Sequence, residues 1–244
     1  MVTALVSRLK HSDAAVNQLC SANCAEFSVI AWDLDRPNDD ITQSPAMSED
    51  EALMAIRRGF ESVGVIASLL LLSEMGTGNP TVGAELNMEG FGGNTADWVR
   101  RRTGSDAACL ARKIDAVASA VARQSSATWL RILSALSGRK HSAIYDSFLP
   151  ARALGTLVIL GGFICTVATT PLYKADPKLP DQCVEDHEFW QARLLAELEH
   201  GPILTLGMAL DEGSGATHAI NDLRPATECH NGIAILAYAR VSNV

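Results

Sequence analysis

LGTLVILGG, residues 154–162, is an uncharged run of mostly aliphatic side chains that ends in two glycines. Such a run is typical of a parallel strand that is buried on both faces. Short apolar runs at residues 26–32 and 203–206 predict two more strands, and helical patterns lie between the predicted strands. Strands that alternate with helices favour an α/β fold, in which helices flank a parallel sheet in a Rossmann-like, three-layer arrangement.

Apolar residues at three- and four-residue spacing predict the helices. These cover residues 3–22, 49 to about 72, 129–136 and 185–199, and another helix starts at Ser105. In the second helix, Gly59 and Gly64 are alternative positions for a break. Ser48 and Glu51 have the spacing of a capping box, which places the start of the second helix at Glu49. We expect a single domain over residues 1–244. Within it, the helical segment at about 1–24 and a C-terminal helix at about 216–240 are expected to pack as a small subdomain.

Composition disfavours several kinds of partner. Hydrophobic residues make up 48% and charged residues 20% of the 244 residues, which is ordinary for a globular chain with a buried core. The formal net charge of −8 disfavours binding to nucleic acid or to an anionic membrane. The first residues lack the apolar core of a signal peptide, so we expect a cytoplasmic protein. The six cysteines and six histidines are not spaced as metal ligands, so neither a metal nor another cofactor is expected.

Two glycine-rich turns that contain carboxylates form the candidate site. They are EMGTGN at residues 74–79 and DEGSG at residues 211–215. Glycine lets backbone N–H groups approach an anion closely, and a neighbouring carboxylate adds a base or an acceptor for ribose hydroxyls. Each turn alone is also typical of a simple helix boundary. Because ligands bind beyond the carboxyl ends of parallel strands, the two turns together favour a phosphosugar site.

A third segment, RTGSDAACLARK at residues 102–113, has the pattern of an anion site. The turn at Thr103 and Gly104 opens a helix, and the free N–H groups at a helix N-terminus attract negative charge. Lys113 follows about two turns into that helix. The alternative interpretation of Lys113 is a solvated surface residue.

In their order along the chain, these segments resemble the nicotinate-nucleotide–dimethylbenzimidazole phosphoribosyltransferase family of cobalamin biosynthesis. LLSEMGTGNPT is similar to the family's EMGIGNTT, and RTGSDAACLARKI is similar to its GRGTG with the lysine-bearing helix that follows. GGFICTVATT resembles DGFIxTAAAL, and PILTLGMALDEGSGA resembles PLLxLGLRLGEGTGA. The resemblance covers nearly the whole chain, although family members usually have several dozen more residues in front.

The resemblance implies a reaction and a role for each site residue. Nicotinate mononucleotide gives its 5-phosphoribosyl group to 5,6-dimethylbenzimidazole or a similar base, which yields α-ribazole 5′-phosphate and nicotinate. Glu212 matches the family's catalytic glutamate, and Glu74 assists it or orients the ribose. The family also forms homodimers. The implied substrate- and phosphate-binding residues are Met75, Gly76, Thr77, Gly78, Asn79, Thr103, Gly104, Lys113, Gly213, Ser214 and Gly215.

Departures from the family pattern keep other interpretations open. Gly161 stands in place of the aspartate of DGFI, and SGRKHSA at residues 137–143 replaces GGFEIAA with loss of its acid. The alternative is therefore a catalytically impaired paralogue that binds a nucleotide or phosphosugar in a regulatory or partner role. Asp33 and Asp35 after an apolar run also have the spacing of haloacid-dehalogenase-type phosphotransferases, although the rest of that pattern is missing.

Overall fold

The fold is taken from a computed structural model of the chain, which describes residues 6, 9–12, 14–63, 68–76, 78–99, 106–124, 128–181, 183–186, 191–205 and 213–233. Its helices are α1 (Ala15–Ala22), α2 (Glu49–Ser62), α3 (Asn79–Phe91), α4 (Thr95–Trp98), α5 (Ala107–Arg123), α6 (Trp129–Leu136), α7 (Arg139–Ala153), α8 (Phe163–Val167), α9 (Thr170–Ala175), α10 (Ala192–Glu197), α11 (Ser214–His218) and α12 (Ile220–Gly232). Its strands are β1 (Leu69–Leu72), β2 (Leu157–Leu160), β3 (Cys183–Asp186) and β4 (Pro202–Leu204). Within the described part of the chain, no helix is long and apolar enough to cross a membrane.

The four strands form one parallel sheet in the order β1-β2-β3-β4. Leu69 pairs with Leu157, and Val158 pairs with Cys183. Parallel neighbours need a crossover connection, and helices lie between β1 and β2, between β2 and β3, and between β3 and β4. The expected α/β class with a parallel sheet is confirmed.

Strand β2 lies between two hydrophobic layers. Leu160 belongs to a cluster that includes Phe148 of α7, whereas Ile159 packs with Ala216 and Ala219 near α11. Successive strand residues point to opposite faces of a sheet, so helices cover both faces of β2. This double burial explains why residues 157–160 are uniformly aliphatic.

The predicted start of α2 is confirmed. The backbone N–H of Glu51 donates to Ser48 Oγ at 3.2 Å, and the backbone N–H of Ser48 donates to Glu51 Oε2 at 2.9 Å. These reciprocal bonds are the capping box, which satisfies two N–H groups that the helix itself cannot pair. The helix predicted from Ser105 begins at Ala107, with Asp106 as its N-cap.

Three predicted elements are wrong in whole or in part. Residues 26–32 form no strand, and Ile30 there is 65% exposed. The helix predicted from residue 49 to about 72 ends at Ser62, close to the alternative break at Gly64, and residues 69–72 are β1 instead. The helix predicted over 185–199 is correct for residues 192–197, which form α10, whereas residues 185–186 belong to β3 and residues 187–190 lie outside the described part of the chain. A short apolar run does not by its periodicity distinguish a buried strand from a buried helix, and the sheet decides between them.

In place of the single C-terminal helix predicted at about 216–240, the described residues up to 233 form two helices, α11 and α12. Helix α1 contacts α11, and the Arg224 guanidinium of α12 donates to the Asn23 carbonyl just after α1. The terminal segments therefore touch one another. Their grouping as a separate small subdomain stays a prediction.

Candidate active site

Three turns meet around Ser73, at the carboxyl edge of the sheet. A Cβ atom added to Gly161, which follows β2, would lie 3.0 Å from the Leu72 carbonyl oxygen and 3.3 Å from Ser73 Cβ. A Cβ atom added to Gly213 would lie 2.9 Å from Ser73 Cβ. Gly213 also has a φ of +81°, which disfavours other residues. The turns at residues 73–76, 161–162 and 213–215 are therefore packed together, with little room for a side chain at Gly161 and none at Gly213.

The turn after β1 leads into α3. Gly78 is the N-cap of this helix at a φ of +82°, and the helix begins at Asn79. The Asn79 side-chain amide donates to Glu74 Oε2 and closes the turn. Because backbone N–H groups at the start of a helix have no partner within it, they attract an anion. The structure thus brings Glu74 to the start of a helix at the edge of the sheet.

Lys140, in the first turn of α7, is a part of this turn that sequence reasoning missed. Its ammonium donates to Asn79 Oδ1 at 2.8 Å, to Glu74 Oε2 at 3.1 Å and to the Met75 carbonyl at 3.2 Å. A lysine ammonium has three N–H donors, so these three acceptors use all of them. A Cβ atom added to Gly76 would lie 1.8 Å from Lys140 Nζ. Glycine at position 76 therefore leaves the space that the ammonium occupies.

The N-terminal segment covers the same junction. Met75, like Val29, packs against a buried cluster that includes Val16 of α1. A Cβ atom added to Gly213 would lie 3.8 Å from Val16 Cγ2. The apolar side of α1 thus lies over both the turn after β1 and the turn at Gly213.

The second glycine-rich turn is buried and hydrogen-bonded. Gly213, Ser214 and Gly215 are buried at the start of α11. Thr217 Oγ1 donates to the Gly213 carbonyl at 2.8 Å, which fixes the backbone of this short helix. Among the described residues, no group of three or more histidine, cysteine or carboxylate side chains is placed to hold a metal.

The comparisons with known proteins agree with this geometry. The sequence pattern of a phosphoribosyltransferase family matches residues 1–241. The nicotinate-nucleotide–dimethylbenzimidazole phosphoribosyltransferase of Rhodobacter capsulatus is 42% identical over 241 residues, which are 98% of this chain and 72% of that protein. The enzyme of the same name from Ruegeria pomeroyi is 43% identical over 242 residues, with the same shares of both chains. This chain belongs to the nicotinate-nucleotide–dimethylbenzimidazole phosphoribosyltransferase family.

A solved structure of a family member has the same fold. The crystal structure of CobT from Thermus thermophilus superposes with a TM-score of 0.86 at 29% sequence identity. The match covers 99% of this chain and 79% of that one. The parallel sheet and its flanking helices are therefore the family's architecture.

Two departures from the family pattern lie at the junction of the turns. Gly161 replaces the aspartate of DGFI, and an added Cβ there would approach the Leu72 carbonyl to 3.0 Å, so this chain has little space for the missing side chain. Lys140 occupies the position of the acid in GGFEIAA. This exchange of an acid for a lysine was the sequence signal that could have pointed to Lys140.

The other predicted site residues are Lys113, which lies on α5 and not on either turn, and four residues that lie outside the described part of the chain. Lys113 is half-buried as the seventh residue of α5, which packs against α3, and its contact with a phosphate stays a prediction. Thr77, Thr103, Gly104 and Glu212 lie outside the described residues, so their roles also stay predictions. The structure brings together Glu74, Met75, Gly76, Gly78 and Asn79 on one turn and Gly213, Ser214 and Gly215 on the adjoining turn.

Proposed function

We propose that this chain transfers the 5-phosphoribosyl group of nicotinate mononucleotide to 5,6-dimethylbenzimidazole or a similar base. The observation that carries the proposal is the junction at Ser73, where the Glu74 turn adjoins the Gly213 turn. Parallel sheets bind ligands at this edge. The names of the relatives support the same reaction and do not favour an impaired paralogue.

The proposed chemistry breaks the bond between the anomeric carbon and the pyridinium nitrogen. Nicotinate leaves with a neutral ring nitrogen, so its departure needs no proton. A benzimidazole nitrogen attacks the anomeric carbon from the opposite face and inverts its configuration. The N–H of the other ring nitrogen then becomes acidic, and Glu212 accepts that proton as general base. A positioned base of this kind typically contributes a factor of about 10² to 10⁴ to the rate.

The 5′-phosphate is assigned to backbone N–H groups and one lysine. We assign it to the N–H groups of residues 76–79, to Thr103 and Gly104, and to Lys113, with the turn at residues 213–215 closing the other side. Glu74 already accepts hydrogen bonds from Asn79 and Lys140, so its proposed role is to orient the ribose rather than to take the proton.

The deciding experiment measures nicotinate release by the wild type and by a variant in which Glu212 is replaced by the uncharged glutamine. Chromatography of the purified chain with nicotinate mononucleotide and 5,6-dimethylbenzimidazole should show nicotinate and α-ribazole 5′-phosphate. Glu212→Gln is expected to lower the rate by about 10²- to 10⁴-fold. Its affinity for nicotinate mononucleotide, measured by calorimetry, should be nearly unchanged.

Glu228→Gln is the matched control, because Glu228 is exposed on α12. It should keep wild-type activity. Tight binding of nicotinate mononucleotide with no release of nicotinate, for any benzimidazole, phenol or purine acceptor, would contradict the proposed transfer and favour the impaired paralogue. Equal loss of affinity and rate in Glu212→Gln would assign that residue to binding instead.

The family resemblance also supports a homodimer, and the N-terminal sequence pattern favours a location in the cytoplasm, so we include both in the proposal. Light scattering of the purified chain should give twice the mass of one chain. A particle with the mass of a single chain at micromolar concentration would contradict the homodimer.

A further inference from the structure

We propose that Lys140 is a positioning residue that holds the Glu74 turn in the shape needed to bind the phosphorylated sugar. The identity of the sugar rests on the proposed function, but the role of Lys140 rests on its own contacts. Its ammonium bonds a carboxylate, an amide oxygen and a backbone carbonyl, and all three belong to residues 74–79. One side chain thus fixes the turn that immediately precedes α3.

The helix that carries Lys140 is itself anchored at its first turn. The neighbouring Arg139 donates to Glu51 Oε1 at 2.9 Å and to Asn38 Oδ1 at 3.2 Å. The Arg139 and Glu51 side chains are only 10% and 15% exposed, so this ion pair is largely shielded from water. Helix α7 also packs along α2. Lys140 therefore connects a packed pair of helices to the turn after β1.

The three hydrogen bonds of the Lys140 ammonium favour a role in holding the turn over direct binding of the phosphate. Lys140 already directs its three N–H donors to acceptors on the turn. The carboxylate of the ion pair is 12% exposed, whereas the lysine side chain is 41% exposed. The lysine thus offsets the negative charge of Glu74 at the edge where the phosphate is proposed to bind, and it keeps the turn assembled before the ligand arrives.

Gly76 provides a direct test of this arrangement. Because a Cβ atom there would lie 1.8 Å from Lys140 Nζ and 3.1 Å from its Cε, alanine at this position forces the ammonium to move, and we expect it to lose its three acceptors. Gly76→Ala and Lys140→Ala should therefore have the same effect. Each is expected to weaken the affinity for nicotinate mononucleotide by about 10- to 100-fold, the range for losing hydrogen bonds to a charged group.

The double variant decides between the outcomes. If the two residues act through one contact, Gly76→Ala combined with Lys140→Ala binds no more weakly than the weaker single variant, whereas independent sites give multiplied losses. Calorimetry with nicotinate mononucleotide and thermal melting should both show this non-additivity. Multiplied losses of affinity and summed losses of melting temperature would overturn the inference. Lys178→Ala, at an exposed loop lysine, controls for the change in net charge and should match the wild type.

Two further measurements separate positioning from simple support of the fold. Lys140→Met keeps the aliphatic stem and should raise KM with little change in kcat, while Lys140→Arg should restore part of the affinity. A fall of kcat alone, or equal losses in both variants, would contradict the positioning role. If the wild-type chain bound no nicotinate mononucleotide, the proposed function would fail, and the melting temperatures of the same variants would still decide the role of Lys140.

Discussion

Glu85, in the middle of α3, has its whole side chain inside the core. It is 0% exposed, and neither carboxyl oxygen has a hydrogen-bond partner among the described residues. Burial raises the pKa of this carboxyl to about 9, and the Arg123 guanidinium lowers it only in part. The folded protein therefore keeps Glu85 protonated at neutral pH, where the unfolded chain would release the proton. Folding takes up a proton at this residue.

A raised pKa in the fold makes stability fall as the pH rises. The contribution of Glu85 is fully present below its unfolded pKa of 4.5 and is lost as the pH rises through about 9. Between pH 5 and pH 8, the free energy of unfolding of the wild type should fall by about 4 kcal/mol relative to Glu85→Gln. Urea unfolding of both proteins at several pH values measures this difference.

The buried His141 also makes stability depend on pH, but it does so equally in the wild type and in Glu85→Gln. Burial lowers its pKa to about 3, so its contribution is lost as the pH falls below its unfolded value of 6.5. The free energy of unfolding therefore rises with pH through His141, opposite to the effect of Glu85. Because both proteins keep His141, this contribution cancels in their difference. Parallel curves for the wild type and Glu85→Gln would show that Glu85 is ionised in the folded protein.

At the scale of the elements, local chemistry was predictable and long-range pairing was not. The capping box at Ser48 and Glu51 was predicted because its partners lie three residues apart. The four leucines of β1 were assigned to a helix because a run of four has no distinguishing period. Only the pairing of Leu69 with Leu157, far away in sequence, makes that segment a strand.

The candidate site divides in the same way. The turns at residues 74–79 and 211–215 were found because glycine and carboxylate occur together within a few positions. Lys140 was missed because it lies 66 positions from Glu74, and no local pattern joins them. Its sequence neighbours form an ordinary helix start. The contact exists only because α7 packs along α2 and brings its first turn to the carboxyl edge of the sheet.

At the scale of the whole molecule, the two faces of the sheet pack against different parts of the protein, and only one face lies next to the Gly213 turn. Ile159 packs against Ala216 and Ala219, next to the helix that begins at Gly213. On the opposite face, Leu172 of α9 is equally buried in the cluster that includes Phe148. Both faces stabilise the fold, but the Ile159 face directly supports the second turn of the site. Loss of packing on the two faces should therefore affect binding differently.

A pair of truncations tests this division. Ile159→Ala and Leu172→Ala should each lower the free energy of unfolding by about 2–5 kcal/mol, because both side chains are fully buried and leave a cavity. Only Ile159→Ala should also weaken binding of nicotinate mononucleotide, since the cavity lies under α11 and lets the Gly213 turn move away from Ser73. Calorimetry at a temperature where both variants are folded separates the two effects. Equal affinity in the two variants would mean that the turn is held by its contacts with Ser73 and Val16 and not by the sheet beneath it.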